Sequence, residues 1–208
     1  MHKSLKISLL LVILSALFFN PLLAKSSNNI ALGDSLPYRK IPDYPNDYTA
    51  ETIVARMIDG LGFRYYWATE GLRKEDLKFQ PSKDARTCEA TIDHILGLSN
   101  VIFNSFKNTA NTQTGEEISA LPFDVKRKRT LENLKTVSDL LRSGTVKVKD
   151  LKIVFQRGNG KQEFPFWNQI NGPISDALWH VGQVVTFRRS SGNPFNAKVS
   201  VLTGKLSE

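Results

Sequence analysis

Asp176, His180 and Gln183 stand at i, i+4 and i+7 in a segment, Asn171 to Pro194, that is patterned as a helix. At 3.6 residues per turn the aspartate and the histidine lie about 40° apart around the axis and about 6 Å along it, close enough to share a small ligand. The same spacing also describes a solvated helix face carrying an ordinary Asp–His contact, which is common and weak. Phe187 continues the line at i+11, which is odd for a purely wet face, and a second histidine, His94, falls on another predicted helix. On the residues alone both readings stand.

The elements that must position these side chains can be read from periodicity. Around the Asp–His pair, Asn171 is placed to cap a helix and Pro173 to sit in its first turn, where a missing N–H costs nothing. Arg188 and Arg189 occupy the last turn, and Gly192 and Pro194 are stop signals. Ile174, Ala177, Leu178, Val181, Val184 and Val185 form its apolar face. A first helix is expected from Thr49 to Glu70, with Ile53, Val54, Met57, Ile58, Leu61, Tyr65 and Ala68 inward. Gly60 and Gly62 are costly within it and point to close helix contact, and Phe63, Tyr66 and Trp67 make a second buried face or a pocket wall.

The loop Lys78-Phe79-Gln80-Pro81 precedes a second helix capped by Thr87 and running to Lys107. Ile92, Ile95, Leu96, Ser99, Ile102, Phe103 and Phe106 trace its core face, and His94 sits on the flank of that face, where a lone histidine is usually structural. A third helix is expected from Lys126 to Arg142 with Leu131, Leu134, Val137, Leu140 and Leu141 inward and Gly144 as its stop. Thr109 to Phe123 reads as a long polar loop suited to a lid. From Val146 to Phe166 the period changes to two, and Arg157-Gly158-Asn159-Gly160 supplies a turn, so a small β-hairpin is expected before the last helix. Val199 to Leu202 is a short strand or an apolar tail.

The chain of 208 residues, 41% of them hydrophobic, is sized for one domain plus a processing segment. Residues 1–24 have the basic start, apolar core and Leu22-Leu23-Ala24 end of a signal peptide. The apolar run is short for a membrane span, so no stable transmembrane anchor is expected, and no cysteine follows it for lipid attachment. Residues 25–47 form a linker or wrapping arm, 48–195 the helical domain and 196–208 a C-terminal tail. The formal net charge is +8, of which Lys3 and Lys6 supply two, and its simplest meaning is solubility. The one local cluster, Lys126-Arg127-Lys128-Arg129, lacks the interleaved aromatics or docking motif of a nucleic-acid surface. Cys88 is the single cysteine, so no internal disulfide forms; it reads as a buried small apolar residue, although a place near a helix N-terminus tends to lower a thiol pKa.

The run HVGQVVTFRRSSGNP resembles the metal-binding helix of the DinB/YfiT-like superfamily, whose signature there is H-x-x-x-H-x-G-Q. His180, Gly182 and Gln183 match the second histidine, the glycine and the glutamine, and Asp176 stands where the first histidine would be. The Phe79-Gln80-Pro81 loop before the helix of His94 is similar to that family's aromatic-x-Pro loop. The resemblance covers roughly residues 49–194 and implies an all-α, DinB-like four-helix bundle with the hairpin inserted before its last helix. Carried over by position, it implies a divalent-metal site of His94, Asp176 and His180, with Gln183 hydrogen-bonding a ligand or a metal-bound water. Two imidazoles and a carboxylate suit zinc or nickel, and also iron(II) or manganese. Glu70 and Glu89 are reserve ligands.

With both histidines outside the signal peptide assigned to the metal, no histidine is left for a Ser-His-Asp triad. Three functions follow in order: a metal-dependent hydrolase or transferase acting on a small molecule, a non-catalytic metal- or ligand-binding bundle, and a scaffold that has lost its metal through the Asp176 substitution. The family's thiol substrates belong to the reducing cytoplasm, whereas this chain is expected to be periplasmic or secreted. Bundles of this kind often pair through helix faces, which leaves a homodimer open. Sequencing the N-terminus of protein isolated from its native host should begin at or near Lys25; recovery of the intact Met1 form in the cytosol would overturn the expected export.

Overall fold

Apolar periodicity and well-made caps account for the helical elements, and the chain is mostly helical with a small hairpin. The computed structural model describes residues 36–112 and 117–208, so the expected signal peptide and the first part of the arm lie outside the described residues. The helices are α1 (Ala50–Thr69), the short α2 (Lys74–Lys78), α3 (Cys88–Phe106), α4 (Phe123–Arg142), the single turn α5 (Trp167–Gln169) and α6 (Ser175–Ser190). At the start of α1, Thr49 and Thr52 exchange side-chain and backbone hydrogen bonds at 2.9 and 3.2 Å. At the start of α3, Thr87 Oγ1 accepts from the Ala90 N–H at 3.1 Å. Each such cap satisfies a backbone donor that the helix itself leaves unpaired.

Four long helices pack pairwise, α1 against α4 and α6, and α3 against the same two. Ile92, Ile95, Leu96 and Ile102 of α3 meet Leu131, Leu134, Val137 and Leu141 of α4 and the Ala177, Val181 and Val184 face of α6, all buried. The α1 stripe departs from expectation: Ile53 and Met57 are 50% and 39% exposed, whereas Phe63, Tyr66 and Trp67 are buried. The cause is that the C-terminal half of α1 is enclosed on all sides, so its off-stripe aromatics form a second buried face. Residues 36–47 contribute to that enclosure. Trp67 Nε1 donates to the Arg39 carbonyl at 3.2 Å, and Arg56 donates to the Pro42 carbonyl at 2.8 Å. The buried Tyr38 ring lies where a Cβ on Gly62 would sit, within 2.4 Å, so the close contact that Gly62 permits is with this arm rather than with a helix.

The hairpin is formed by β2 (Lys152–Arg157) and β3 (Gly160–Pro165), and Gly158 takes φ +55° at the first of the two turn residues. The described parts of the loop expected from Thr109 to Phe123 are anchored to the fold. Its β1 (Asn111–Thr112) pairs in parallel with β2, and Lys126 Nζ donates to the Ser119 carbonyl. The tail makes a second small hairpin, β4 (Val199–Ser200) with β5 (Lys205–Leu206). No helix among the described residues is long and apolar enough to cross a membrane.

Several charged side chains face inward. Lys126 and Arg127, half of the basic cluster, are buried: Lys126 Nζ lies 2.6 Å from Asp93 and 3.1 Å from Glu89, and Arg127 pairs with Glu70. A buried charge survives only with such partners. Asp59, also buried, accepts from Tyr38, Ser138 and Arg142.

The helix that carries Asp176 and His180 does not begin as expected. Asn171 is not its cap; it lies in a wide turn, Ile170–Ile174, in which Gly172 leaves helical geometry (φ −93°, ψ −107°) before Pro173. A continuing helical turn from Trp167 feeds this segment, so there is no open end for Asn171 to close. The other end of α6 is fixed tightly. Arg188 Nη1 donates to the carbonyls of Trp67, Ala68 and Glu70 at 2.9–3.1 Å, closing the C-terminus of α1. Asp76 of α2 then accepts from Ser191 and Asn193, both at 2.6 Å, and from Arg73.

The Arg73 guanidinium, with those further donors, holds the Asp76 carboxyl well below the usual carboxylate range. A depressed folded-state pKa adds stability that is full above the unfolded value, near 4, and is lost as the pH falls toward the folded one. Asp76→Asn should therefore cost about 2 kcal/mol at neutral pH. Urea unfolding should show the gap from wild type narrowing between about pH 5 and pH 2.

Candidate metal centre

His94 lies in the second turn of α3, Asp176 in the first turn of α6 and His180 one turn further along α6. Packing of α3 on α6 brings the two elements together. His94 Nε2 is 3.1 Å from Asp176 Oδ2, and His180 Nε2 is 3.2 Å from Asp176 Oδ1. The imidazole rings meet edge to face, 4.6 Å between centroids. One ligand atom from each of the three residues lies within 4.8 Å of the others, and no other such group of His, Cys, Asp or Glu occurs among the described residues. The side chains are 33%, 37% and 13% exposed in the order His94, Asp176, His180. The cluster is thus sheltered on the His180 side and open on the other.

The hydrogen-bond accounting gives this geometry a sign. The second nitrogen of His180, Nδ1, lies 2.8 Å from Gln183 Oε1, an acceptor, so Nδ1 carries the proton. In the neutral ring Nε2 then directs its lone pair at a carboxylate that only accepts. The His180 Nε2 lone pair and the carboxylate repel unless a proton or a metal ion lies between them, whereas His94 donates to Asp176 as its Nε2–H tautomer or joins it in holding an ion. The set of two nitrogens and a carboxylate matches what zinc, nickel, iron(II) or manganese takes, with room left for solvent or substrate. Gln183 is placed to orient His180 from behind, with its NH2 group the donor that remains.

The reserve carboxylates are committed elsewhere, Glu70 to Arg127 and Glu89 to Lys126. Cys88 is buried, and burial pushes its thiol up to about 12, the reverse of what its place at a helix N-terminus suggested; it is not a nucleophile at neutral pH. Beside the cluster is a pocket of about 310 Å3 lined by Pro81, Ala85, Arg86, His180, Gln183 and Phe187. Phe187 holds that wall by packing on Phe79, 5.9 Å between ring centroids. The odd aromatic in the polar line is therefore both buried and part of a pocket. Arg86 carries no periodic signal, and nothing in the sequence marks it as a neighbour of His180.

Comparison with protein-family models, curated proteins and solved structures gives no match. The chemistry of the site rests on its own geometry. In 15N spectra of the folded protein at neutral pH, His180 should show the Nδ1-protonated tautomer. Gln183→Leu should abolish that preference while leaving the helical circular dichroism unchanged.

Proposed function

We propose that the chain is a DinB-like four-helix bundle that binds a divalent metal ion through His94, Asp176 and His180, and acts as a metal-dependent hydrolase or transferase on a small molecule outside the cytoplasm. The observation that carries this reading is the convergence of two imidazole Nε2 atoms, from two helices, on one carboxylate beside a pocket. Three protein ligands with an open side are the pattern of a catalytic rather than a structural ion.

When bound, such an ion lowers the pKa of coordinated water and polarises a carbonyl or phosphoryl oxygen. The protein's own part is to aim the ligands. Asp176 bridges the two histidines, and Gln183 keeps the proton on Nδ1 of His180 so that Nε2 is free to coordinate. A substrate seated against Phe187 and Pro81 in the neighbouring pocket would lie next to His180.

Elemental analysis of untagged protein, followed by titration with zinc and nickel, tests the reading. Wild-type protein should bind one ion per chain. His180→Ala should remove most of that affinity, because two remaining groups seldom hold an ion firmly. Asp176→His should keep the fold and retain or tighten zinc binding, since imidazole is a good zinc ligand. A wild-type chain that binds no ion while Asp176→His does would identify a scaffold that has lost its metal.

A further inference from the structure

The pocket beside His180 has a chemical character of its own. Three of its lining residues, Pro81, Ala85 and Phe187, are apolar, and Gln183 and His180 contribute polar atoms at one end. Its single permanent charge is Arg86, and no carboxylate lines it. Other arginines of the fold are spent on structure: Arg73 on Asp76, Arg127 on Glu70, Arg142 on Asp59 and Arg188 on the carbonyls that end α1. Arg86 is exposed and has no hydrogen bond or ion pair to any described residue.

The loop that presents it is nonetheless well fixed. Gln80 Nε2 donates across the loop to the Ala85 carbonyl at 2.7 Å, the Ala85 N–H donates to Ser82, and the Cys88 N–H closes the loop on the Phe79 carbonyl at 2.9 Å. A preorganised backbone thus holds an uncommitted guanidinium on the wall that also contains His180. A guanidinium fork in that setting matches the two oxygens of a carboxylate or the oxygens of a phosphoryl group.

We infer that this pocket receives a small amphipathic anion, its anionic group on Arg86 and its apolar body against Phe187 and Pro81, with the far end delivered to His180. This deepens the preceding reading, since it names the substrate class of the same site, and Arg86 is its specificity-determining residue.

Benzoate and its neutral isostere benzamide are suitable probes, titrated calorimetrically into the full mature chain, with nickel affinity measured separately on each variant. Benzoate should bind wild type at least about 10-fold more tightly than benzamide. Arg86→Gln should weaken benzoate by about 10-fold or more, leave benzamide and nickel unchanged, and leave the thermal midpoint unchanged because the side chain is exposed; Arg86→Lys should recover part of the loss. Equal benzoate affinity in wild type and Arg86→Gln, or no benzoate binding by wild type at tens of millimolar, overturns the inference. If benzoate discriminates but no ion binds, the anion pocket stands and the metal reading falls. If nickel binds and benzoate does not discriminate, the anion pocket alone falls.

Discussion

Arg188 is the contact on which the arrangement depends. The carbonyls at the end of a helix have no partner within it and cannot be buried unpaired. Here those of Trp67, Ala68 and Glu70 are met by a guanidinium reaching from α6, itself 3% exposed. Because the guanidinium is also held by the Asn193 backbone and side-chain oxygens, and its other acceptors belong to another helix, the bond set restrains both the rotation and the axial position of α6 relative to α1. The apolar face of Ala177, Val181 and Val184 is tolerant by comparison, since hydrophobic contact is non-directional.

From that fixed end the site follows by helix geometry. His180 lies eight residues, about 12 Å, before Arg188, and Asp176 one turn further still. Neither can turn to meet His94 unless α6 has its present rotation. On the other side, α3 is held by Lys126, which reaches from α4 to Asp93 and Glu89. Asp93 is the immediate neighbour of His94, so the ion pair that satisfies a buried lysine also fixes the turn of α3 that presents the imidazole. A buried arginine on α6 and a buried ion pair on α3 therefore flank the candidate centre without taking part in it.

Much of this was legible in the sequence, for a physical reason: burial with a 3.6-residue period writes itself into residue type. The inward faces of α3 and α4 carry that imprint, while the hairpin is written in a period of two with a glycine turn, and the Asp176–His180 spacing follows from helix geometry alone. The interactions that select one arrangement do not. Lys126 and Arg127 look like a solvated basic run, because a buried and an exposed lysine are the same letter. Nothing local reveals that Arg188 serves a helix over a hundred residues away, or that Asn171 has no helix end to cap. Ile53 and Met57 obey the apolar period of α1 yet face outward, since periodicity does not say how far a neighbouring helix extends. The proximity of His94 to Asp176 and His180 required tertiary packing, and on the residues alone His94 reads as an ordinary flanking histidine.

The wide turn at Ile170–Ile174 has a consequence for how the chain tolerates change in length. Since α6 is registered from its C-terminal end, its N-terminal junction is where slack collects, and Gly172, already outside helical geometry, marks that slack. An added or lost residue there should be taken up as a larger or smaller bend, so that the Asp176–His180 face of α6 keeps its heading. The same change between Gln183 and Arg188 would turn that face by about 100°, carrying both α6 groups away from His94. Histidine, aspartate and arginine on α6 thus behave as one indivisible cassette. Length variation in descendants of this fold should gather on the hairpin side of Gly172 and be absent from the short span that follows it.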